Sequence, residues 1–133
     1  MFAEIAPSYD STNTVLSFGI HHLWRKRTVK ESGAAIGDAV LDCATGTGDL
    51  AIEFRKRVGS DGRVVGTDFC KEMLDFAPPK AAADGYDDIL WEVQDAMDLS
   101  YPDDTFDIAS IAFGIRNVDD PSTALESMSR VVK

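Results

Sequence analysis

The feature that most constrains the fold of this chain is a short apolar run that leads straight into a glycine-rich turn. The run at residues 39–44, Ala-Val-Leu-Asp-Cys-Ala, predicts a buried strand, and a helical apolar pattern follows the turn. Gly46, Thr47 and Gly48, with Ala51 three residues on, have the spacing G-x-G-x-x-A. Glycines let a backbone approach a ligand closely, and the first turn of the helix offers free amides. The pattern predicts a strand, turn and helix that bind a ligand.

The rest of the chain alternates between strand and helix patterns. After the first strand and its helix (49–58), the order is strand, helix, strand, strand and helix, with strands expected at 63–68, 89–94 and 106–115 and a closing helix at 122–132. This alternation predicts a parallel, doubly wound α/β sheet of the Rossmann-like type, with ligands at the carboxyl ends of the strands. We expect one partial domain over residues 1–133, with a helical segment at 1–36 and the Rossmann-like core at 37–133.

Local signals predict how several helices begin and end. Two short helices fit the apolar spacing between residues 11 and 30, and the cationic cluster at 25–30 is assigned to a solvated face. Pro78 and Pro79 are expected to interrupt the helix that begins near Glu72, because proline removes an amide donor. Ser122 is expected to cap the closing helix.

Composition excludes several classes of function. Thirteen Lys and Arg against 23 Asp and Glu give a net charge of -10, which disfavours nucleic acid as a partner. The two cysteines form no C-x-x-C pair, so no metal site or disulfide is expected, and Cys43 is assigned to the core. No apolar run approaches the roughly 18 residues of a membrane span. We therefore expect a cytoplasmic protein.

Two carboxylates near the glycine turn suggest which ligand it takes. Asp42 precedes Gly46 by four residues and Asp49 follows Gly48 directly. Like unit charges about 4 Å apart repel by about 4 kcal/mol at an effective dielectric of about 20, so a pyrophosphate is disfavoured. S-adenosylmethionine carries a cationic sulfonium and an ammonium, which suit an acidic rim. The acids therefore favour this cofactor, and they count against an NAD-dependent dehydrogenase.

Acidic residues also lie at the end of the second predicted strand and just after the third. Asp68 lies 20 residues after Gly48, at the position where a carboxylate accepts hydrogen bonds from a ribose diol. The same carboxylate can also cap a helix that starts near Cys70, and the two roles are compatible. Asp95 and Ala96 follow the third strand, where a carboxylate can accept from an adenine amino group and a small side chain leaves room for the ring. Three successive strand ends thus carry groups suited to the cofactor.

Four blocks of sequence stand in a fixed order along the chain. They are Ile-Ala-Pro-Ser-Tyr-Asp at 5–10, Leu-Ser-Phe-Gly-Ile-His-His-Leu-Trp-Arg at 16–25, the strand and turn at 40–50, and Ala-Phe-Gly-Ile-Arg-Asn-Val at 112–118. The third block resembles the first motif of class I methyltransferases. Together the four resemble the ubiquinone/menaquinone biosynthesis C-methyltransferase family over essentially the whole chain.

The resemblance implies specific roles for residues of this chain. S-adenosyl-L-methionine would contact Thr47, Asp68, Asp95 and Ala96, with Gly46 and Gly48 shaping the turn and Asp42 supporting the methionine end. Where some members of the family place a serine that also reaches the cofactor, this chain has Ala112. One hydrogen bond of those members is therefore not expected here.

The resemblance further implies C-methylation of a demethylated lipid quinol of the demethylmenaquinol or 2-polyprenyl-6-methoxy-benzoquinol type. Arg116, Asn117 and Tyr9 are the catalytic candidates, with Asp10 and His22 also near the expected site. Arg116 stays protonated, so it would act through a water or by orienting a ring oxygen. For His21 and His22, a surface position or helix packing is favoured over catalysis.

The family sequence continues beyond Lys133, so we expect a C-terminally truncated chain with about the first four strands. Its strand at 106–115 would then have an exposed edge, which favours a homo-oligomer. One alternative stays open: a non-catalytic module that binds S-adenosylmethionine or a partner subunit. The choice of quinone and a transient contact with the membrane also stay open.

Overall fold

The computed structural model describes residues 22–112, 114–115 and 118–133, and its helices and strands alternate along the chain. Residues 22–31 are helical and are labelled α1. The later elements are β1 (Ala39–Cys43), α2 (Asp49–Val58), β2 (Arg63–Asp68), α3 (Lys71–Leu74), α4 (Ala77–Ala83), β3 (Leu90–Val93), β4 (Ile108–Ile111) and α5 (Pro121–Val131). Of the two short helices predicted between residues 11 and 30, the part at 22–30 falls in α1, and the part at 11–21 lies outside the described residues.

The four strands form one parallel sheet in the order β3-β2-β1-β4. In register, Leu41 of β1 faces Val65 of β2 on one side and Ala109 of β4 on the other. Parallel neighbours need a crossover between them, and α2 and the α3–α4 pair supply it for the β1-β2 and β2-β3 pairs. The structure confirms the predicted parallel α/β architecture.

The fourth strand is shorter than the apolar run predicts. It covers Ile108–Ile111, whereas Phe106 pairs in parallel with Val132, beyond the end of α5. The amides of Thr105 and Phe106 both donate to the carbonyl of Val131, at 2.8 Å each. Phe106 therefore ties the end of α5 to the sheet. Apolar character alone cannot distinguish this pairing from membership of the strand.

Two helix boundaries differ from the predictions. The break between α3 and α4 falls at Asp75 and Phe76, and the prolines lie in the first turn of α4, where a missing amide leaves no helical bond unmade. They begin a helix rather than interrupt one. The N-cap of α5 is Asp120 and not Ser122, since the Asp120 carboxylate accepts from the amide of Ser122 at 3.1 Å.

Apolar side chains cover both faces of the sheet. One cluster contains Val40, Val64 and apolar residues of α1, α2 and α4, and the other contains Leu41, Val65 and apolar residues of α5. Because successive residues of a strand point to opposite faces, the two clusters lie on opposite sides of the sheet. The sheet is therefore doubly wound.

Cys43 is fully buried in the second of these clusters, as predicted. Burial is the main cause that raises the pKa of its thiol from 9.0 to about 12, so the side chain stays a neutral thiol. Among the described residues, no helix has the length and apolar character needed to cross a membrane.

Candidate functional site

The glycine turn after β1 is joined directly to the end of β2. The Gly46 amide donates to Asp68 Oδ2 at 2.8 Å, and the Thr45 amide donates to the Thr67 carbonyl at 2.9 Å. The carboxyl ends of parallel strands lie at one edge of a sheet, which is why residues 22 positions apart meet here. The structure thus brings together two groups that the sequence placed on separate strands.

The Asp68 carboxylate accepts hydrogen bonds from two backbone segments, the glycine turn and the start of α3. Its Oδ1 accepts from the amide of Cys70, the N-cap residue of α3, at 2.8 Å, while Oδ2 holds Gly46. A carboxylate offers about four acceptor positions, so both oxygens retain capacity for a ligand hydroxyl. Asp68 therefore supports the start of α3, as anticipated, and its remaining capacity fits a diol.

Gly48 is required by packing as well as by backbone conformation. Its φ is 91°, and a Cβ there would lie 2.7 Å from the Trp91 ring of β3 and 2.8 Å from Cβ of Ala77 in α4. Sequence reasoning attributed the glycines of the turn to close approach of a ligand. The structure shows that Gly48 also lets the start of α2 approach α4 and β3.

Asp42 lies beneath the turn, only 2% exposed. Its carboxylate accepts from the hydroxyls of Thr45 and Ser110, at 2.7 Å each. Burial raises the pKa of the Asp42 carboxyl from 3.8 to about 6, while the two hydroxyl bonds act in the opposite direction and the charge of Asp68 adds to the rise. Asp42 ties the turn to β4, a contact that residue spacing did not predict.

The burial of the Asp42 carboxyl should make the stability of the chain depend on pH. The folded chain binds the Asp42 proton more tightly than the unfolded chain does, so the contribution of Asp42 to the free energy of unfolding falls as the pH rises from its unfolded pKa through its folded one. Between about pH 4 and pH 7 we expect this group to remove about 2 kcal/mol. The Asp42→Asn variant should lack that fall in urea unfolding curves. Asp98→Asn, a change at an exposed acid, should leave the fall in place, and an identical pH slope in Asp42→Asn would contradict the assignment.

The surroundings of Asp49 differ from the acidic rim that the sequence led us to expect around the turn. Lys80 Nζ of α4 lies 3.1 Å from Asp49 Oδ1, and Arg25 Nη1 of α1 lies 3.9 Å from Oδ2. Asp49 is therefore compensated by two cations, and Asp42 is buried. Neither partner was predicted: Arg25 was assigned to a solvated face, and Lys80 is 31 residues away in sequence. Asp49 is thus paired with cations, whereas Asp42 accepts from hydroxyls and Asp68 from backbone amides.

Asp95 and Ala96 follow β3 at the same end of the sheet. Asp95 Oδ1 accepts from the Met97 amide at 2.9 Å, which forms a compact turn, and Asp95 is only half-buried. Ala96 packs against the second core cluster. Both residues are near the strand end as predicted, and their contacts within the chain are those of a turn and of the core.

The segment after β4 lies against the glycine turn. Ala112 packs against the first core cluster, and a Cβ at Gly114 would lie 2.2 Å from Cβ of Ala44, which has a left-handed φ of 51°. Gly114, in the fourth sequence block, therefore lies against Ala44 of the first motif. Arg116, Asn117 and Tyr9, with Asp10 and His21, lie outside the described residues. His22 is half-buried in a polar groove that also contains Arg25, Asp49 and Lys80.

Among the described side chains, no group of three or more His, Cys, Asp or Glu is arranged to hold a metal ion.

Comparison with known proteins places this geometry in context. The model of the ubiE/COQ5 methyltransferase family matches residues 1–133. The chain is 61% identical, over its whole length, to the ubiquinone/menaquinone biosynthesis C-methyltransferase UbiE of Bdellovibrio bacteriovorus, and 45% identical to the 2-phytyl-1,4-naphtoquinone methyltransferase of Synechococcus elongatus. It spans 56% and 58% of these two relatives.

A solved structure gives the same result for the fold. The SAM dependent methyltransferase from Aquifex aeolicus superimposes with a TM-score of 0.75 at 30% identity, covering 82% of this chain and 58% of that one. The strand order and the glycine turn after β1 thus define a Rossmann-like fold of the class I methyltransferase type. The chain belongs to the ubiE/COQ5 methyltransferase family.

Proposed function

We propose that this chain is the cofactor-binding part of an S-adenosylmethionine-dependent C-methyltransferase that acts on a demethylated quinol in menaquinone or ubiquinone biosynthesis. The observation that carries the proposal is the bond between the Gly46 amide and the Asp68 carboxylate, in a chain that matches the family from end to end. This bond joins the turn that would hold the methionine to the acid that would hold the ribose. Of the relatives named above, one is called a ubiquinone/menaquinone biosynthesis C-methyltransferase and the other a 2-phytyl-1,4-naphtoquinone methyltransferase.

The order of the strands supports one orientation of the cofactor. With the order β3-β2-β1, the adenine would lie near Asp95 and Ala96, the ribose at Asp68, and the methionine along the turn. The turn residues are Gly46, Thr47 and Gly48, with Asp42 beneath them. Phe69 follows Asp68 directly and is 78% exposed, so it offers an apolar surface beside the ribose position. When bound, S-adenosylmethionine supplies the methyl group.

The catalytic roles proposed for Arg116, Asn117 and Tyr9 concern the ring of the quinol. C-methylation needs the reacting carbon in line with the methyl donor, so the protein contributes mainly by orienting the ring and taking up a hydroxyl proton. Arg116 keeps its charge and would orient a ring oxygen, directly or through a water. The close approach of Gly114 to Ala44 supports this role, because Gly114 precedes Arg116 by two residues in the sequence.

The lipid nature of the proposed quinol substrate suggests where this protein would act. A lipid quinol is held in the membrane, so the proposal includes a cytoplasmic protein that contacts the membrane transiently to collect its substrate. In the described part of the chain β4 is an edge strand, which supports association of two chains through that edge. A net charge of -10 gives no support to nucleic acid as a partner.

We further propose that residues 1–133 form a single partial domain. Val29 and Ala34 of the N-terminal segment belong to the same buried cluster as Val40 of β1 and Phe54 of α2. A helical segment that shares the core of the sheet in this way is expected to unfold together with it.

Calorimetric titration of the chain with S-adenosylhomocysteine and, separately, with NAD tests the proposal. We expect saturable binding of S-adenosylhomocysteine at one site and no detectable heat with NAD. Circular dichroism of the same sample would establish that the chain is folded. A folded chain that binds NAD and not S-adenosylhomocysteine would overturn the proposal.

A further inference from the structure

Ser110 of β4 reaches across to Asp42 of the neighbouring strand β1. The two residues are paired in register, and Ser110 Oγ lies 2.7 Å from Asp42 Oδ1. The same oxygen lies 3.5 Å from the Leu41 carbonyl, but a hydroxyl has a single hydrogen, and the nearer carboxylate is the stronger acceptor. Ser110 therefore donates to Asp42 and fixes the orientation of its carboxylate.

The other oxygen of the Asp42 carboxylate holds Thr45, the residue that leads into the glycine turn. Thr45 Oγ1 donates to Asp42 Oδ2 at 2.7 Å. The Thr45 amide donates to the Thr67 carbonyl at 2.9 Å, and the Thr45 carbonyl accepts from the Gly48 amide at 3.0 Å. Thr45 is thus bound to β1, to β2 and to the far side of the turn, so its position sets the path of the backbone through the turn.

The bond between Asp42 and Thr45 also spans a strained residue. Ala44 lies between them with a left-handed φ of 51°, a conformation that is unfavourable for a residue with a Cβ. Such a residue persists only where its surroundings hold it in place. The Asp42 carboxylate supplies one such restraint, and Ser110 holds that carboxylate. The strand β4 thereby supports the backbone that enters the turn.

The charge of Asp42 is part of this bridge between Ser110 and Thr45. An ionised carboxylate accepts both hydroxyl bonds, whereas a protonated carboxyl carries its own hydrogen and gives up one of these acceptor positions. Burial raises the pKa of the Asp42 carboxyl to about 6, and the two hydroxyls oppose that rise. The bridge is therefore complete when Asp42 is ionised and weakened when it is protonated.

The ionisable groups around the Asp42 carboxylate come from the adjacent strands and from α2. Asp68 of β2 bears a charge that adds to the rise of the Asp42 pKa, and the Cys43 thiol of β1 is neutral. The four residues of β4 carry no charge. At the start of α2, Asp49 is paired with Lys80 and Arg25. Within the described residues, the hydroxyls of Thr45 and Ser110 are the groups that stabilise the ionised form of Asp42.

We propose that Ser110 is a positioning residue for the bound cofactor, acting through Asp42 and Thr45 on the glycine turn. The inference rests on the proposed function, which places the amino-acid end of S-adenosylmethionine along that turn. It assigns to β4 a share in holding this end of the cofactor, whereas ribose recognition is assigned to Asp68 of β2.

Calorimetry with two ligands that share the adenosine tests the role of Ser110. S-adenosylhomocysteine carries the amino-acid end, and 5′-methylthioadenosine lacks it. At neutral pH, Ser110→Ala should weaken S-adenosylhomocysteine about fivefold and 5′-methylthioadenosine less than about twofold, because one hydrogen bond contributes about this much. Ser110→Thr keeps the hydroxyl and should restore most of the lost affinity.

The dependence of affinity on pH distinguishes positioning from a general loss of structure. In the unaltered chain, the affinity for S-adenosylhomocysteine should fall as the pH falls through the Asp42 pKa of about 6, because the protonated carboxyl weakens the bridge. Loss of the Ser110 hydroxyl raises this pKa further, so the fall should begin at a higher pH in Ser110→Ala. The same titration with 5′-methylthioadenosine measures the part that belongs to the ribose and adenine.

Three further variants serve as controls. Thr45→Val removes the hydroxyl at the other end of the bridge with little change of shape, and it should reproduce the selective loss even where Ser110→Ala folds poorly. Ser129→Ala removes an exposed hydroxyl from α5 and should leave both affinities unchanged. Because histidines commonly titrate in this pH range, His22→Gln should be measured too, and it should leave the onset of the fall in place.

Equal weakening of the two ligands by Ser110→Ala and Thr45→Val would show a purely structural role and overturn the inference. Unchanged binding of both ligands would also overturn it, as would an identical onset of the pH-dependent fall in Ser110→Ala and the unaltered chain. A folded, unaltered chain that binds no S-adenosylhomocysteine would overturn the proposed function, and the inference with it. Binding by the unaltered chain therefore shows which of the two has failed.

Discussion

Replacing Asp68 by alanine should weaken S-adenosylhomocysteine binding by roughly 100-fold or more. The carboxylate is proposed to accept both ribose hydroxyls, and hydrogen bonds to a charged acceptor contribute about 1.5–3 kcal/mol each. The same side chain holds the Gly46 and Cys70 amides at 2.8 Å, so its loss also loosens the turn and the start of α3. The two effects act in the same direction on affinity.

Calorimetric titration of Asp68→Ala against the unaltered chain measures this loss, with thermal unfolding recorded on the same samples. Asp98→Ala is the matched control, because it removes an equal charge from an exposed position near the end of β3. It should bind normally. A folded Asp68→Ala chain with unchanged affinity would remove Asp68 from the ribose site.

The largest loss of stability is expected for Gly48→Ala, about 3 kcal/mol in the free energy of unfolding. A left-handed φ disfavours alanine by about 1–2 kcal/mol, and forced contacts in a packed site add about 1–3 kcal/mol. The added Cβ would lie 2.7 Å from the Trp91 ring and 2.8 Å from Cβ of Ala77. The backbone at Gly48 cannot shift without moving the glycine turn.

Gly85→Ala isolates the contribution of packing. Gly85 has nearly the same φ, 88° against 91° for Gly48, but nothing lies within 4 Å of a Cβ built there. In urea unfolding it should lose only about 1 kcal/mol. Equal losses of stability in Gly48→Ala and Gly85→Ala would show that backbone conformation alone sets the loss. Trp91 and Ala77 would then move to accommodate the added Cβ.

Much of this site could be predicted from sequence because its signals are local. Gly46 and Gly48 follow β1, Asp68 is the last residue of β2, and parallel strands bring their carboxyl ends to one edge. Alternation of strand and helix patterns was sufficient for the architecture. Local sequence constrains a helix cap less strongly, because Asp120 and Ser122 are both good N-cap residues and only the backbone path decides between them.

The contacts that local patterns could not predict join distant parts of the chain. Ser110 reaches Asp42 across 68 residues, and Lys80 reaches Thr47 across 33. Neither contact can be recognised from the sequence spacing of its two residues, because a serine in a strand and a lysine in a helix are both common. Their partners depend on which strands become neighbours and how α4 packs on α2.

The sequence by itself determined the parallel α/β fold, the glycine turn and the acid at the end of β2, because hydrophobic periodicity and glycine spacing act over a few residues. Only the tertiary structure decided the electrostatics. The sequence indicated an acidic turn, whereas folding buries Asp42, with its pKa raised to about 6, and places Arg25 and Lys80 against Asp49. The charge of a site depends on burial and on distances between side chains, and neither exists until the helices pack on the sheet.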